Sequence, residues 1–212
     1  MPPPRRPQKA GQARPRPQGA RAGRRELVLN SSAAGLLLGV PALGALPLGP
    51  FGGAAPRPPG LGVTDYGGGV KQLAFCPPTP NCISSTENPN DGEHYVPGWN
   101  FNPPDGRGGP FGTSASREQA MAELVAAVEG CDADRFKPRI VERKDDYLYA
   151  EFESRWIGYV DDVEFWFPDD RANTVEYRSS SRVGANDGKV NRKRIKAIRV
   201  ALQKKGWRSN GF

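Results

Sequence analysis

The sequence predicts an α+β fold: a four-stranded antiparallel meander packed against two helices, in the order helix-strand-strand-strand-strand-helix, preceded by a long irregular loop segment. Three observations carry this. Ser116 with Gln119 three residues later forms a capping box, and Met121, Leu124, Val125 and Val128 follow at helical spacing, with Gly130 placed to end the helix. Strict alternation then takes over. Leu148, Ala150 and Phe152 point one way and Tyr147, Tyr149, Glu151 and Glu153 the other; Val163, Phe165 and Phe167 alternate with Asp162, Glu164 and Trp166; Val175 and Tyr177 alternate with Thr174, Glu176 and Arg178. Finally, Asp187 is placed to cap a helix from about Lys189 to Lys205, with an apolar stripe of Ile195, Ile198 and Leu202, a stop at Gly206 and Trp207 packed behind it.

Arg139 to Arg143 reads as the first strand of the meander, and Asp145-Asp146, Ile157-Gly158 and Pro168-Asp169-Asp170 supply turns. Short connections between alternating strands mean antiparallel pairing with one apolar face, and the two helical stripes are the complementary surface. Ahead of these elements, Cys76 to Ser116 is rich in Pro, Asn, Gly and Asp, with Tyr95, Trp99, Phe101 and Phe111 interspersed. It shows neither helical nor alternating periodicity. Its aromatics place it on the domain, because disordered tracts are poor in them. Ala55 to Gln72 is a Gly/Pro-rich lead-in expected to carry little structure. The segments are thus 1–23, 24–54, the lead-in 55–71, and one domain over 72–207.

The first two segments read as addresses. Residues 1–25 hold eight Lys/Arg and no acid, which suits an organelle transit peptide over 1–23. Arg24-Arg25 stands before an uncharged stretch from Leu27 to Ala55, the pattern of a twin-arginine export signal. A bacterial twin-arginine signal with a long leader is the alternative. Gly52-Gly53-Ala54 offers a small-residue cleavage site, and Pro41, Pro47 and the glycines weaken the stretch as a membrane helix, so a removed signal is expected rather than a retained anchor. From Glu26 onward, 22 cations face 23 carboxylates. The basic balance of the whole chain therefore belongs mostly to the leader, and nucleic acid is disfavoured as a partner.

The chemistry-bearing residues match few enzyme templates. There is no Gly-rich phosphate loop, no Gly-x-Gly-x-x-Gly and no Gly-x-Ser-x-Gly. His94 is the only histidine, and it reads as a surface loop residue. Of Cys76, Cys82 and Cys131, the first two are spaced to close a short loop in an oxidising compartment; three unpaired thiols and a bridge to Cys131 are the alternatives. Zinc held by these cysteines and His94 would need irregular ligand spacing, so no metal or other cofactor is implied.

Asp161 and Asp162 must face opposite ways on a strand, so they do not converge as an acid/base pair. Asp162, with Glu164 and Glu151, is expected on a solvated face, with Arg155 and Arg178 as cross-strand partners. The richest polar motif runs from Ser179 through Ser181 and Arg182 to Asp187 and on into Asn191-Arg192-Lys193-Arg194. Hydroxyls, amides and guanidinium groups meet there at a strand end and a helix start, where an anion or an acidic partner would be held. The residues singled out for partner or ligand contact are Tyr95, Trp99, Arg155, Asp162, Ser181, Arg182, Asn191 and Arg192.

Cys76-Pro77-Pro78-Thr79-Pro80-Asn81-Cys82-Ile83-Ser84-Ser85-Thr86-Glu87-Asn88 resembles the family catalogued as domain of unknown function 1499. The resemblance continues through 146–152, Gly158 to Phe165 and Ser181-Arg182-Val183-Gly184, and ends at Asn191-Arg192-Lys193-Arg194, covering about 72–204. Ala185-Asn186 departs from the Tyr-Ser type of pair expected after the glycine. Glu93-His94-Tyr95-Val96-Pro97 and the bipartite leader resemble the plastid branch, which implies the thylakoid lumen; the alternative address is a bacterial periplasm or export. The family implies no catalytic residue. The expectation is a non-catalytic lumenal accessory protein that binds a photosynthetic membrane complex during its assembly or maintenance. The alternative is a small-molecule binder or hydrolase with a site between the 76–115 loop and the polar sheet face.

Overall fold

The computed structural model describes residues 55–156 and 158–210. In chain order the elements are β1 (Val63–Asp65), β2 (Lys71–Leu73), β3 (Cys82–Ser84), β4 (Trp99–Asn100), α1 (Arg117–Glu129), β5 (Phe136–Arg143), β6 (Tyr147–Ser154), β7 (Val160–Trp166), β8 (Thr174–Ser181), α2 (Val190–Gln203) and β9 (Arg208–Ser209). Residues 133–135 form a short 3₁₀ turn ahead of β5.

The expected meander is the centre of the sheet. Strands β5, β6, β7 and β8 pair antiparallel in sequence order, with Ala150 opposite both Ile140 and Val163, and Val163 opposite Ser179. The sheet does not stop at four strands. Both β3 and β4 pair antiparallel with β8, Ile83 opposite Ser179 and Trp99 opposite Val175, and β9 extends the edge beyond β4. Nine strands among the described residues replace the expected four, seven of them in one sheet. The segment from Cys76 to Ser116 is thus not a structureless loop. Its strands are two or three residues long, too short to display an alternating pattern.

Apolar burial fixes the layers. Leu148, Ala150, Phe152, Val163, Phe165 and Val175 line one sheet face and pack with Met121, Leu124 and Val128 of α1 and Ile195, Ile198 and Leu202 of α2. Capping follows the sequence at α1, where Ser116 Oγ accepts from the Gln119 N–H and the Gln119 side chain accepts from the Ser116 N–H. Gly130 ends α1 at φ −81°, outside the left-handed conformation expected of a terminating glycine, whereas Gly206 after α2 adopts it at φ 93°. At the start of α2, Lys189 occupies the cap position, while the Asp187 carboxylate two residues earlier accepts from the N–H groups of Lys189 and Asn191.

The opposite face was expected to be wet, and it is covered. Residues 55–73 fold back over it: β1 and β2 form a hairpin, and Leu73 is fully buried against Tyr147, Tyr149 and Trp166. Arg57 Nε lies 2.7 Å from Glu151, the Gly62 N–H donates to Glu164 at 2.6 Å, and Arg182 donates to the Ala55 carbonyl at 2.9 Å. The lead-in is ordered by these contacts rather than by propensity of its own. Among the described residues no helix is long and apolar enough to cross a membrane. Arg24, Arg25 and the leader lie outside the described residues.

Candidate functional site

One end of the meander carries a cleft of about 380 Å³, built where the β6–β7 turn, the 3₁₀ turn before β5 and the β8–α2 connection meet. Gly158, in the left-handed region at φ 73°, lets the β6–β7 chain reverse, and the Ser154 hydroxyl accepts from the Tyr159 N–H. Trp156 sits in that turn and is 80% exposed; Tyr159 and Val183 beside it are about two-fifths exposed. Phe136 and Val190 complete the apolar wall.

The cleft floor is polar and tightly held. Asp161 faces it from β7, bound by Arg194 Nη2 at 2.5 Å and set opposite Ser181 of β8. The Asn191 amide donates to Ser181 Oγ at 3.1 Å and to the Asn81 carbonyl at 2.9 Å. The Arg194 guanidinium also stacks on Phe136 and Phe152, 4.9 and 4.6 Å from the ring centres. Burial raises the Asp161 pKa against the pull of Arg194. Among these floor side chains only Arg194 Nε is buried without a partner; the floor supports a rim in which Trp156, Tyr159, Phe136 and Val183 stand beside Asp134, Arg155 and Asp187.

Nucleophilic catalysis finds no machinery in this arrangement. The Ser181 hydroxyl accepts from the Asn191 amide, not from an imidazole. His94 is far from being a free surface residue: it is buried, with Nδ1 at 2.8 Å from Asp91 and Nε2 at 3.2 Å from the Thr79 carbonyl, where it ties the 76–96 loop together. Among the described residues no cluster of His, Cys, Asp or Glu is arranged to hold a metal.

The residues singled out in the sequence are dispersed. Arg155 and Ser181 line the cleft, and Asn191 lies beneath it. Arg155 is not the partner of Asp162; it stands at the exposed turn, 3.3 Å from Asp132. Asp162 and Arg182 belong to the other face, where Arg182 binds Asp162 and Glu151, each at 2.6 Å, under the lead-in. Arg178 pairs with Glu164 at 3.3 Å, as alternation implied. Glu151, although burial opposes its charge, is held down to about 2 by hydrogen bonds from Arg57, Arg182 and Tyr149.

Trp99 is not on an exposed aromatic loop. It is 1% exposed and stacks on Tyr177 with ring centres 4.4 Å apart. Tyr95 and Arg192 lie together on a separate groove along α2. On the polar face, residues 55–73 pack over Tyr147, Tyr149 and Trp166 and bond Glu151 and Glu164. Cys76 and Cys82 form a disulfide, and Cys131 is a buried free thiol. Sequence reasoning passed over Trp156 and Tyr159. The available signal was a tryptophan inside a turn, where neither strand face can bury it.

Neither a curated protein nor a solved structure has significant similarity to the sequence. The profile of the family described as Protein of unknown function (DUF1499) matches residues 72–202, which spans β3 to α2 and both walls of the cleft, and the chain belongs to that family.

Proposed function

We propose that this chain is a non-catalytic accessory protein of the thylakoid lumen that docks a partner through the Trp156 cleft, in the assembly or maintenance of a photosynthetic membrane complex. The address rests on the bipartite leader with Arg24-Arg25 and on the likeness to the plastid branch of the family. The observation that carries the docking is Trp156. An indole four-fifths exposed beside a hollow lined by Tyr159, Phe136 and Val183 leaves a large apolar surface in water. Tryptophan is also the residue type most enriched at the energetic centres of protein interfaces. The support is rigid, because Arg194, Asp161, Ser181 and Asn191 lock the floor, so little ordering cost falls on binding.

The test is native fractionation of gently solubilised thylakoids carrying the tagged full chain. Wild type should co-migrate with a large complex, and Trp156→Ala should move it to the soluble fraction with its fold unchanged. A wild type that migrates as a monomer, or a Trp156→Ala variant that still co-migrates, overturns the reading. Recovery outside the thylakoid would overturn the address.

A further inference from the structure

A second concavity, of about 580 Å³, lies between α2 and the strands that edge β8. Ile83, Val96, Pro97, Tyr177 and Ile195 form an apolar floor. Its rim is cationic: Arg192, Lys196 and Arg199 stand at i, i+4 and i+7 on α2, hence on one stripe of the helix. No carboxylate lines it. Arg192 is fixed by donating to the Gly92 and Glu93 carbonyls at 3.1 and 2.5 Å. Lys196 and Arg199 make no ion pair among the described residues, in contrast to Lys193 with Asp134 and Arg194 with Asp161 on the same helix.

We infer that this groove binds a single-chain amphiphile, a hydrocarbon body capped by a carboxylate or phosphate head. The volume falls within the range of about 300–1,000 Å³ that small-molecule sites occupy. An apolar floor takes a hydrocarbon chain with no polar group left unpaired, whereas a peptide would bring amides that need partners. The Tyr177 hydroxyl, a polar group of the floor, is already committed to the Pro97 carbonyl at 2.8 Å. The three cations then select an anionic head over a neutral one. This inference stands on residues distinct from those of the Trp156 cleft.

Palmitate, added to the purified full chain below its micellar concentration, is the first probe, read by isothermal titration and native mass spectrometry. Saturable one-to-one binding is expected, with cetyl alcohol about tenfold weaker and the Lys196→Glu/Arg199→Glu double variant weakened by about tenfold or more. Lys204→Glu, a single charge reversal outside the groove, should bind as wild type does. Lysophosphatidic acid separates the sources: tighter binding than palmitate assigns a phospholipid head, and weaker binding assigns a free fatty acid. Absence of palmitate and lysophosphatidic acid binding, equal affinity for cetyl alcohol, or an unaffected double variant overturns the inference. Should the double variant fail to fold, acetylation of Lys196 in the wild type decides: protection by palmitate supports the site, and unchanged labelling overturns it.

Discussion

Asp161 and Asp162 are consecutive in β7, and their carboxylates are held on opposite faces of the sheet, Asp161 by Arg194 of α2 at 2.5 Å and Asp162 by Arg182 at 2.6 Å. One face carries the helices and the other the lead-in, so each aspartate anchors a different covering layer. Arg182 and Arg194 therefore act as internal fasteners in a motif that had the composition of an anion site.

Arg194→Ala and Arg182→Ala should each cost about 3–5 kcal/mol, because a buried carboxylate loses its partner. Arg155→Ala, which removes only an exposed pair with Asp132, should stay within about 0.5 kcal/mol. Urea unfolding of the three variants checks the ranking.

The two tryptophans, one buried and one exposed, should respond differently to truncation. Trp99 contacts Phe165, Tyr177 and Trp207 through its ring, and Trp99→Ala should cost about 3–5 kcal/mol. Trp156→Ala should leave the unfolding free energy within about 0.5 kcal/mol of wild type. Chemical denaturation beside the fractionation experiment shows whether loss of co-migration comes from lost contact or lost fold.

His94 makes the 76–96 loop sensitive to pH. Burial opposes its charge, but the contacts with Asp91 and the Thr79 carbonyl outweigh burial and raise its pKa above the ordinary 6.5. Both contacts need a ring N–H, so only the imidazolium satisfies both. A raised folded value means that the stabilisation is complete below the unfolded pKa and fades as pH rises through the folded one. Melting temperature should therefore fall as pH rises above the ordinary histidine value, and His94→Gln should flatten that part of the profile. A His94 ring titration by NMR midway below its ordinary value would contradict this.

Intact-mass alkylation under denaturing, non-reducing conditions should label one thiol, Cys131, and three after reduction. Native labelling of Cys131 should be slow, since burial raises its pKa and shields it. Replacing Cys76 and Cys82 by serine should cost about 2 kcal/mol for so short a loop.

Where periodicity was long, the sequence was readable. The α1 stripe of Met121, Leu124 and Val128, the alternation of Leu148, Ala150 and Phe152, and the α2 stripe of Ile195, Ile198 and Leu202 all pack where their spacing predicts. Paired charges were readable in part: Arg178 meets Glu164 across neighbouring strands, but Asp162 takes Arg182 instead of Arg155. Arg182 comes from beyond the end of β8, and no local rule says that its side chain turns back under the lead-in.

Local pattern alone thus determined the meander, its two helices and the division of β7 into an Asp161 side and an Asp162 side, because helical and strand periods are properties of neighbouring residues. Three outcomes waited for the tertiary structure. Short strands from residues 82–84 and 99–100 joined β8 from far along the chain, Ile83 opposite Ser179 and Trp99 opposite Val175, Leu73 with Leu61 and Val63 covered a face that composition marked as wet, and Trp99 went inside while Trp156 stayed out. Each depends on which distant surface a segment meets. A two-residue strand or a lone tryptophan carries no period of its own, so its burial is settled only by the partner surface that the folded chain presents.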